Sequence, residues 1–291
     1  MKLSMTLPTM APEFGRSALL AWCRGIDAGP FASLAAGERV SFPNLEASVA
    51  LAAAAATTER VRIVSTLFVA PLHPAALLAK RVASLDVLSG GRVTLGLGVG
   101  GREEDYRACG VSFARRHERL DELAHELRRI WAGEAATAGS APIGPAPLQA
   151  GGPPLLVAAT APRPLARAAR WADGVLGFDF GPDPAAAAKL VRASEAAWRE
   201  AGRATRPLCT TSFWFALGPG ASERLDAYAR RYLAVFGEAA ARSLASRCCA
   251  AGDAAVRDAL RGLRDAGIDE CFLVPTTVDV AELDRLLDVA G

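Results

Sequence analysis

Eight strand-like runs alternating with helical patterns over 291 residues predict an α/β fold of the TIM (β/α)8 barrel class. Two further observations point the same way. Residues 61 to 101 contain a strand, a helix and a second strand within about 40 residues, the length of a parallel pair with a right-handed crossover. Within that unit, Leu85 to Gly101 (LDVLSGGRVTLGLGVGG) runs from a helix end through a double-glycine turn into a glycine-punctuated strand. Its last glycines, Gly96, Gly98, Gly100 and Gly101, are expected at the carboxyl end of the strand, where parallel α/β proteins bind ligands. A doubly wound open sheet shares this alternation and stands as the alternative, because closure is not written in a linear pattern.

The elements follow in order. Strands are expected at 2–7, 31–36, 61–69, 92–98, 154–158, 174–178, 208–217 and 270–274, each a short run rich in β-branched or apolar residues. Asn44 can cap a helix running to Thr57, and 74–88 carries Leu77, Leu78, Val82, Leu85 and Leu88 at helical spacing. Residues 115–131 put Leu120, Leu123, Leu127, Ile130 and Trp131 on one face. Later helices are expected at 163–171, 184–201 and 253–266, with a last one opened by Asp279 and ending near Val289. Residues 133–154, rich in Gly, Ala and Pro, suggest an extended loop, whereas 221–251 holds more helix than one barrel repeat needs. Neither resembles a linker, so a single domain over 1–291 with insertions is expected.

Composition narrows the function. Hydrophobic residues make up 51% and charged residues 22%, enough to bury a large core. The 33 basic and 31 acidic side chains are intermixed and leave a formal charge of +2, so a nucleic-acid partner is not expected. Cys23, Cys109, Cys209, Cys248, Cys249 and Cys271 are scattered without a CxxC pair or a histidine cluster, which argues against a metal and for a reduced, cytoplasmic setting. No leader-like segment opens the chain, and the alanine tract at 49–56 is too short to span a bilayer.

Several residues carry candidate chemistry. Gly96, Gly98 and Gly101 satisfy GxGxxG after a strand, as a dinucleotide-binding dehydrogenase would require, but Glu103, Glu104 and Asp105 follow where a pyrophosphate needs a helix start free of negative charge. Glu38 and Arg39 follow the second strand and His73 the third, which puts a carboxylate, a cation and a neutral-pH proton donor at the ligand end of a barrel. A surface ion pair and a structural histidine are the plainer readings of the same residues. Thr160, with the helix start at Ala161 to Arg163, offers a hydroxyl, free amides and a positive charge for an anion, or simply a helix cap. His117 and His125 fall on the 115–131 helix and are read as surface. No nucleophile elbow, P-loop or HExxH helix is present, which disfavours hydrolases.

Three ordered blocks, 52–111, 153–174 and 252–275, resemble the signatures of the bacterial luciferase-like monooxygenase superfamily, including its deazaflavin-dependent branch. The resemblance implies a barrel that binds reduced FMN or coenzyme F-420 in its carboxyl-end mouth. By position it implies a non-proline cis peptide at Ser65–Thr66, with Phe68 near the ring, Val99 and Gly100 along the cofactor, and Glu104 near its tail. Thr160, Ala161, Arg163 and Pro164 match positions that hold the phosphate. Glu38 matches the acid of the family's Glu-His pair, but Arg39 stands where the histidine usually is. Val99 replaces a phosphate-binding arginine of luciferase, and Gly101 an acid of the sugar-phosphate dehydrogenases. The expectation is a flavin-type oxidoreductase acting on a small organic substrate, with polar contacts from Glu38, Arg39 and His73 and a pocket shaped by loops 8–14, 102–113 and 178–183. Alternatives are a nicotinamide-dependent dehydrogenase using Gly96 to Gly101 and a barrel that binds flavin without turnover. The alanine-rich helix face at 47–56 could serve a homodimer.

Overall fold

The fold, obtained as a computed structural model, is described over residues 1–290. Nine strand segments, all parallel, close into one sheet: β1 (Lys2–Thr6), β2 (Ser33–Ala36), β3 (Arg62–Ser65), β4 (Phe68–Val69), β5 (Val93–Gly98), β6 (Leu155–Val157), β7 (Gly174–Leu176), β8 (Leu208–Phe215) and β9 (Glu270–Pro275). β1 pairs with both β2 and β9, while β3 and β4 each pair with β5, so the sheet has no free edge. The barrel expected from the sequence is therefore closed, and the doubly wound alternative is excluded. The expected strand at 61–69 is one stave in two pieces, interrupted at a cis peptide between Thr66 and Leu67. That bond lies one residue beyond the Ser65–Thr66 position implied by the family resemblance.

Helices cover the outside: α1 (Arg16–Ala28), α2 (Ala47–Thr57), α3 (Ala75–Ser89), α4 (Glu103–Ala108), α5 (Arg116–Trp131), α6 (Pro162–Ala168), α7 (Pro184–Glu200), α8 (Ala221–Leu233), α9 (Glu238–Ala245), α10 (Asp253–Asp265) and α11 (Ala281–Ala290). The apolar stripe of α5 is buried at each expected position, and its Trp131 donates its indole N–H to the Ala79 carbonyl on α3. At the start of α2 the cap is Glu46, not Asn44: its carboxylate accepts from the Val49 amide at 2.8 Å. A carboxylate there also meets the positive end of the helix dipole. At the end of α3, Gly90 and Gly91 both take positive φ, which the double-glycine turn requires.

The lumen is filled by Ala35, Val64, Leu156, Leu176 and Phe272, one inward side chain from each of five strands, so it is a packed core and not a channel. Below it, the buried Glu270 carboxylate accepts from the Ser4 and Ser33 hydroxyls at 2.5 and 2.6 Å and pairs with Arg62. One acid thus ties β1, β2, β3 and β9 at the amino-terminal end. Between β3 and β5 the backbones come close enough that the Ser65 hydroxyl bonds both the amide and the carbonyl of Gly96, at 2.8 and 2.9 Å. A Cβ at Gly96 would stand 2.1 Å from the Ser65 carbonyl oxygen. The segment 221–251 leaves the barrel as α8 and α9 and packs over the end of β8 through Met10, Trp214, Leu225, Tyr228 and Leu233. Among the described residues, no helix is long and apolar enough to cross a membrane.

Gly96→Ala is expected to cost roughly 3 kcal/mol, the upper range for overpacking, because the Ser65 backbone cannot retreat without breaking the seam. Urea unfolding measures it. A loss under about 0.5 kcal/mol, the scale of an ordinary surface change, would show that the seam is not tight.

Candidate active site

At the carboxyl ends of the strands a cavity of about 330 Å³ opens between the staves and the α8 excursion. Backbone and small side chains line part of it, at Gly37, Thr66, Gly100, Gly101, Ala158 and Gly177, together with Leu67. An aromatic wall is formed by Phe178, Phe180, Trp214, Tyr228, Tyr232 and Phe236. Trp214 anchors that wall, meeting Phe178, Phe180, Tyr228 and Tyr232 edge to face at ring separations of 5.0–5.6 Å. Gly100 adopts φ +61°, and a Cβ there would meet the Val69 side chain at 3.0 Å, so only glycine lets the chain turn this close to β4.

Glu38 lines the cavity and is locked in place. One carboxylate oxygen accepts the Val69 amide at 2.7 Å, and His73 Nε2 lies 3.0 Å from the other. Behind the ring, Arg81 approaches His73 Nδ1 at 3.4 Å, and Phe68 packs edge-on against it at 5.5 Å. His73 itself does not line the cavity; it stands one residue deeper. Arg39 is buried and also outside the lining. Its guanidinium reaches Glu104 at 3.5 Å and Asp105 at 3.8 Å and lies over Phe42 and Tyr232. Burial, followed by the nearby charge of Arg102, pushes its pKa down from the ordinary arginine value. Arg39 therefore braces the β2 and β5 loops against each other, and the histidine that contacts Glu38 is His73.

A second cavity of about 210 Å³ lies beside the first, and Ala158 lines both. Val99, Thr160, Ala161 and Pro164 line it, with His117, Asp121, Arg167 and Trp171. Arg167 donates to Asp121 at 2.6 Å and to the His117 carbonyl, while the Trp171 indole donates to Asp121 at 3.1 Å. Tyr106 fixes the neighbouring loop by donating to the Val99 carbonyl at 2.5 Å.

Several expected site residues lie elsewhere. Ser65 is buried and spends its hydroxyl on Gly96, because closing the barrel at β3 and β5 leaves no room for it to turn to the mouth. Phe68 is buried on the outer face of β4 among α2 and α3, since alternation along the stave sends Leu67 and Val69 inward and Phe68 outward. Glu104 is held by Arg39 and lines neither cavity. Arg163 is exposed outside the second cavity; Arg167, one turn later on α6, lines it instead. Pro162 and Pro164 also remove two of the first amides of α6, weakening the anion cradle that the sequence suggests.

Residues 3–283 match the luciferase-like monooxygenase family. The chain belongs to that family. An uncharacterized protein of Mycobacterium tuberculosis is 36% identical over 168 residues, taking in 55% of this chain and 57% of the relative. The chain thus spans little more than half the length of the curated relatives it matches. The monooxygenase RslO1 of Streptomyces bottropensis superposes with a TM-score of 0.81 at 22% identity, covering 100% of this chain and 98% of the other. An F420-dependent secondary alcohol dehydrogenase superposes with a TM-score of 0.79 at 18% identity, covering 99% and 97%. This luciferase-like fold also accounts for the GxGxxG match: Gly96 and Gly98 are needed for close approach inside the barrel, and the helix that follows, α4, has three acids in its first turn. The dinucleotide reading is not favoured.

Met10, Arg102, Phe178 and Phe180 line the cavity from the 8–14, 102–113 and 178–183 loops expected to shape it, whereas the rest of the aromatic wall and His117 were hidden in the sequence. Tyr228, Tyr232 and Phe236 come from an excursion that looked like surplus helix, and their i, i+4 spacing on 228–236 was the only available signal. His117 lies at the start of α5, where partial burial and then the charges of Arg116 and Arg167 lower its pKa, against Asp121. Lowered means the neutral ring is favoured in the folded state, so its contribution to stability is present above the ordinary value of 6.5 and is lost as pH falls below it. Ring-proton NMR is expected to place the His117 midpoint below 6.5 and to show it rising in Arg167→Gln. A midpoint at or above 6.5 would contradict the assigned environment.

Proposed function

We propose that the chain is an oxidoreductase that uses reduced FMN or coenzyme F-420 on a small organic substrate. The observation that carries this is the pair of adjoining cavities that share Ala158, one aromatic-lined and largely apolar, the other edged by a hydroxyl, a histidine and an arginine. A flat redox ring with a phosphate-bearing tail has the same two-part character. Thr66, Leu67, Val69, Gly100 and Gly101 would hold the ring. Val99, Thr160, Ala161, Pro164 and Arg167 would hold the tail, with Arg163 at its open side. Such a group, when bound, supplies the electron pair for hydride transfer or for activating oxygen.

The chain's own residues position and protect. The aromatic wall excludes water from the ring side of the cavity. Glu38, at the cavity surface, holds or delivers a proton at its carboxylate, and His73, at 3.0 Å, orients that carboxylate and exchanges the proton with it. Support for an oxidoreductase comes from family membership. The choice of cofactor follows the family resemblance and the two-cavity geometry.

The homodimer expectation has its own support. Val49 on α2 and Leu77, Val87 and Leu88 on α3 are exposed apolar side chains, and Val49 and Leu88 edge one groove between these helices. A cytoplasmic location is favoured by six free cysteines, two of them adjacent at Cys248 and Cys249. Sedimentation velocity is expected to give twice the 30.3 kDa chain mass, and Val49→Glu to shift it toward monomer. A monomer at micromolar concentration would remove the dimer from the proposal.

Titration of the purified protein with reduced FMN and reduced F-420 in turn, followed by fluorescence, is expected to show micromolar binding of one. Because both parts of the molecule must pass position 158, Ala158→Leu is expected to weaken that binding at least about tenfold, or 1.4 kcal/mol, with little change in melting temperature. Binding of neither cofactor would defeat the functional reading.

A further inference from the structure

Among the described residues, Arg102 is the one guanidinium in the mouth lining. Among the described residues no carboxylate lies within 4.0 Å of it, in contrast to Arg39, which faces both Glu104 and Asp105. Its Nε is buried without a hydrogen-bond partner. The guanidinium lies over the Tyr232 ring at 4.7 Å and the Phe236 ring at 5.4 Å, both members of the aromatic wall. Stacking of this kind fixes the plane of an arginine and leaves its N–H edge directed for an in-plane acceptor. Glu38, the only acid in the same lining among the described residues, already has the Val69 amide and His73 on its oxygens. The Thr6 hydroxyl also lines the cavity, buried and without a hydrogen-bond partner among the described residues. An unneutralised, partly desolvated cation and an idle hydroxyl therefore face an aromatic-walled cavity.

We infer that this cavity takes a flat aromatic substrate bearing an anionic oxygen, a carboxylate or phenolate, with Arg102 as the residue that selects the anion. The rings of the substrate pack against Trp214, Phe178 and Phe180. Its oxygen accepts from Arg102, replacing water with a charge-assisted bond in a poorly solvated site. Arg102 acts here as a specificity residue. The inference rests on the functional reading above for the word substrate, while the preference for an anion is a property of the cavity alone.

The test uses the full chain with and without oxidised FMN, titrated with 2-naphthoate and its neutral counterpart 2-naphthalenemethanol, and with benzoate and benzyl alcohol, while Trp fluorescence is followed. The acids are expected to bind about tenfold or more tighter than the alcohols, the scale of a hydrogen bond to a charged group. The preference should vanish in Arg102→Gln and return in part in Arg102→Lys, with melting temperatures recorded for both. Equal affinity for acid and alcohol, a preference that survives Arg102→Gln in folded protein, or no binding of any probe would overturn it. If Arg102→Gln instead weakens FMN more than riboflavin, Arg102 serves the cofactor phosphate and the inference fails. Cofactor titration reports separately on the functional reading, because anion selection is also measured without cofactor.

Discussion

The closeness of β3 and β5 is the constraint from which the rest of the molecule follows. An eight-stave parallel sheet closes only if every stave pairs with both of its neighbours, and between the third and fourth staves that contact runs through the Ser65 hydroxyl on the Gly96 backbone, where no side chain fits. Closure gathers the strand ends around one mouth. It also takes Ser65 out of reach of that mouth and, by alternation along the same stave, turns Phe68 into the core beneath α2 and α3. The broken stave at Thr66 and Leu67 then exposes backbone and a small side chain at the rim, a surface suited to a flat ligand.

Charge at the mouth is arranged in three different ways, and the differences are physical. Glu38 is held by an amide and a histidine, so it is oriented but remains at the cavity surface. Arg39 is buried between two acids and two aromatic rings, and its work is to join loops. Arg102 has the rings without the acids. Two arginines of opposite availability within one rim show that residue type by itself does not assign a role; the neighbouring carboxylates decide it. The second cavity repeats the lesson, since Arg167, paired to Asp121, lines it and the exposed Arg163 does not.

Most of the architecture was legible in the chain. Eight runs of strand character, the α5 stripe and the double-glycine turn each stand where periodicity and turn chemistry put them, because local backbone preference and burial agree there. Glu38, Gly100 and Thr160 were legible as cavity residues through their position after strands, and Thr66 and Pro164 through the family resemblance. Tyr228, Tyr232 and Phe236 of the aromatic wall were not, because they lie in the helical excursion beyond β8 and meet the mouth only when α8 folds back over that strand. The pairing of His73 with Glu38 was equally hidden, being a contact between residues 35 apart in sequence on different staves.

By itself, then, the sequence determined the alternation of strand and helix, the glycines at the fourth stave and the polar residues that follow strands, since each depends on neighbours a few positions away. Tertiary structure decided closure, which faces of Ser65 and Phe68 are spent on packing, which arginines keep a free charge, and that two cavities adjoin at Ala158. Those outcomes depend on distances between residues remote along the chain, and no local pattern encodes a distance of that kind.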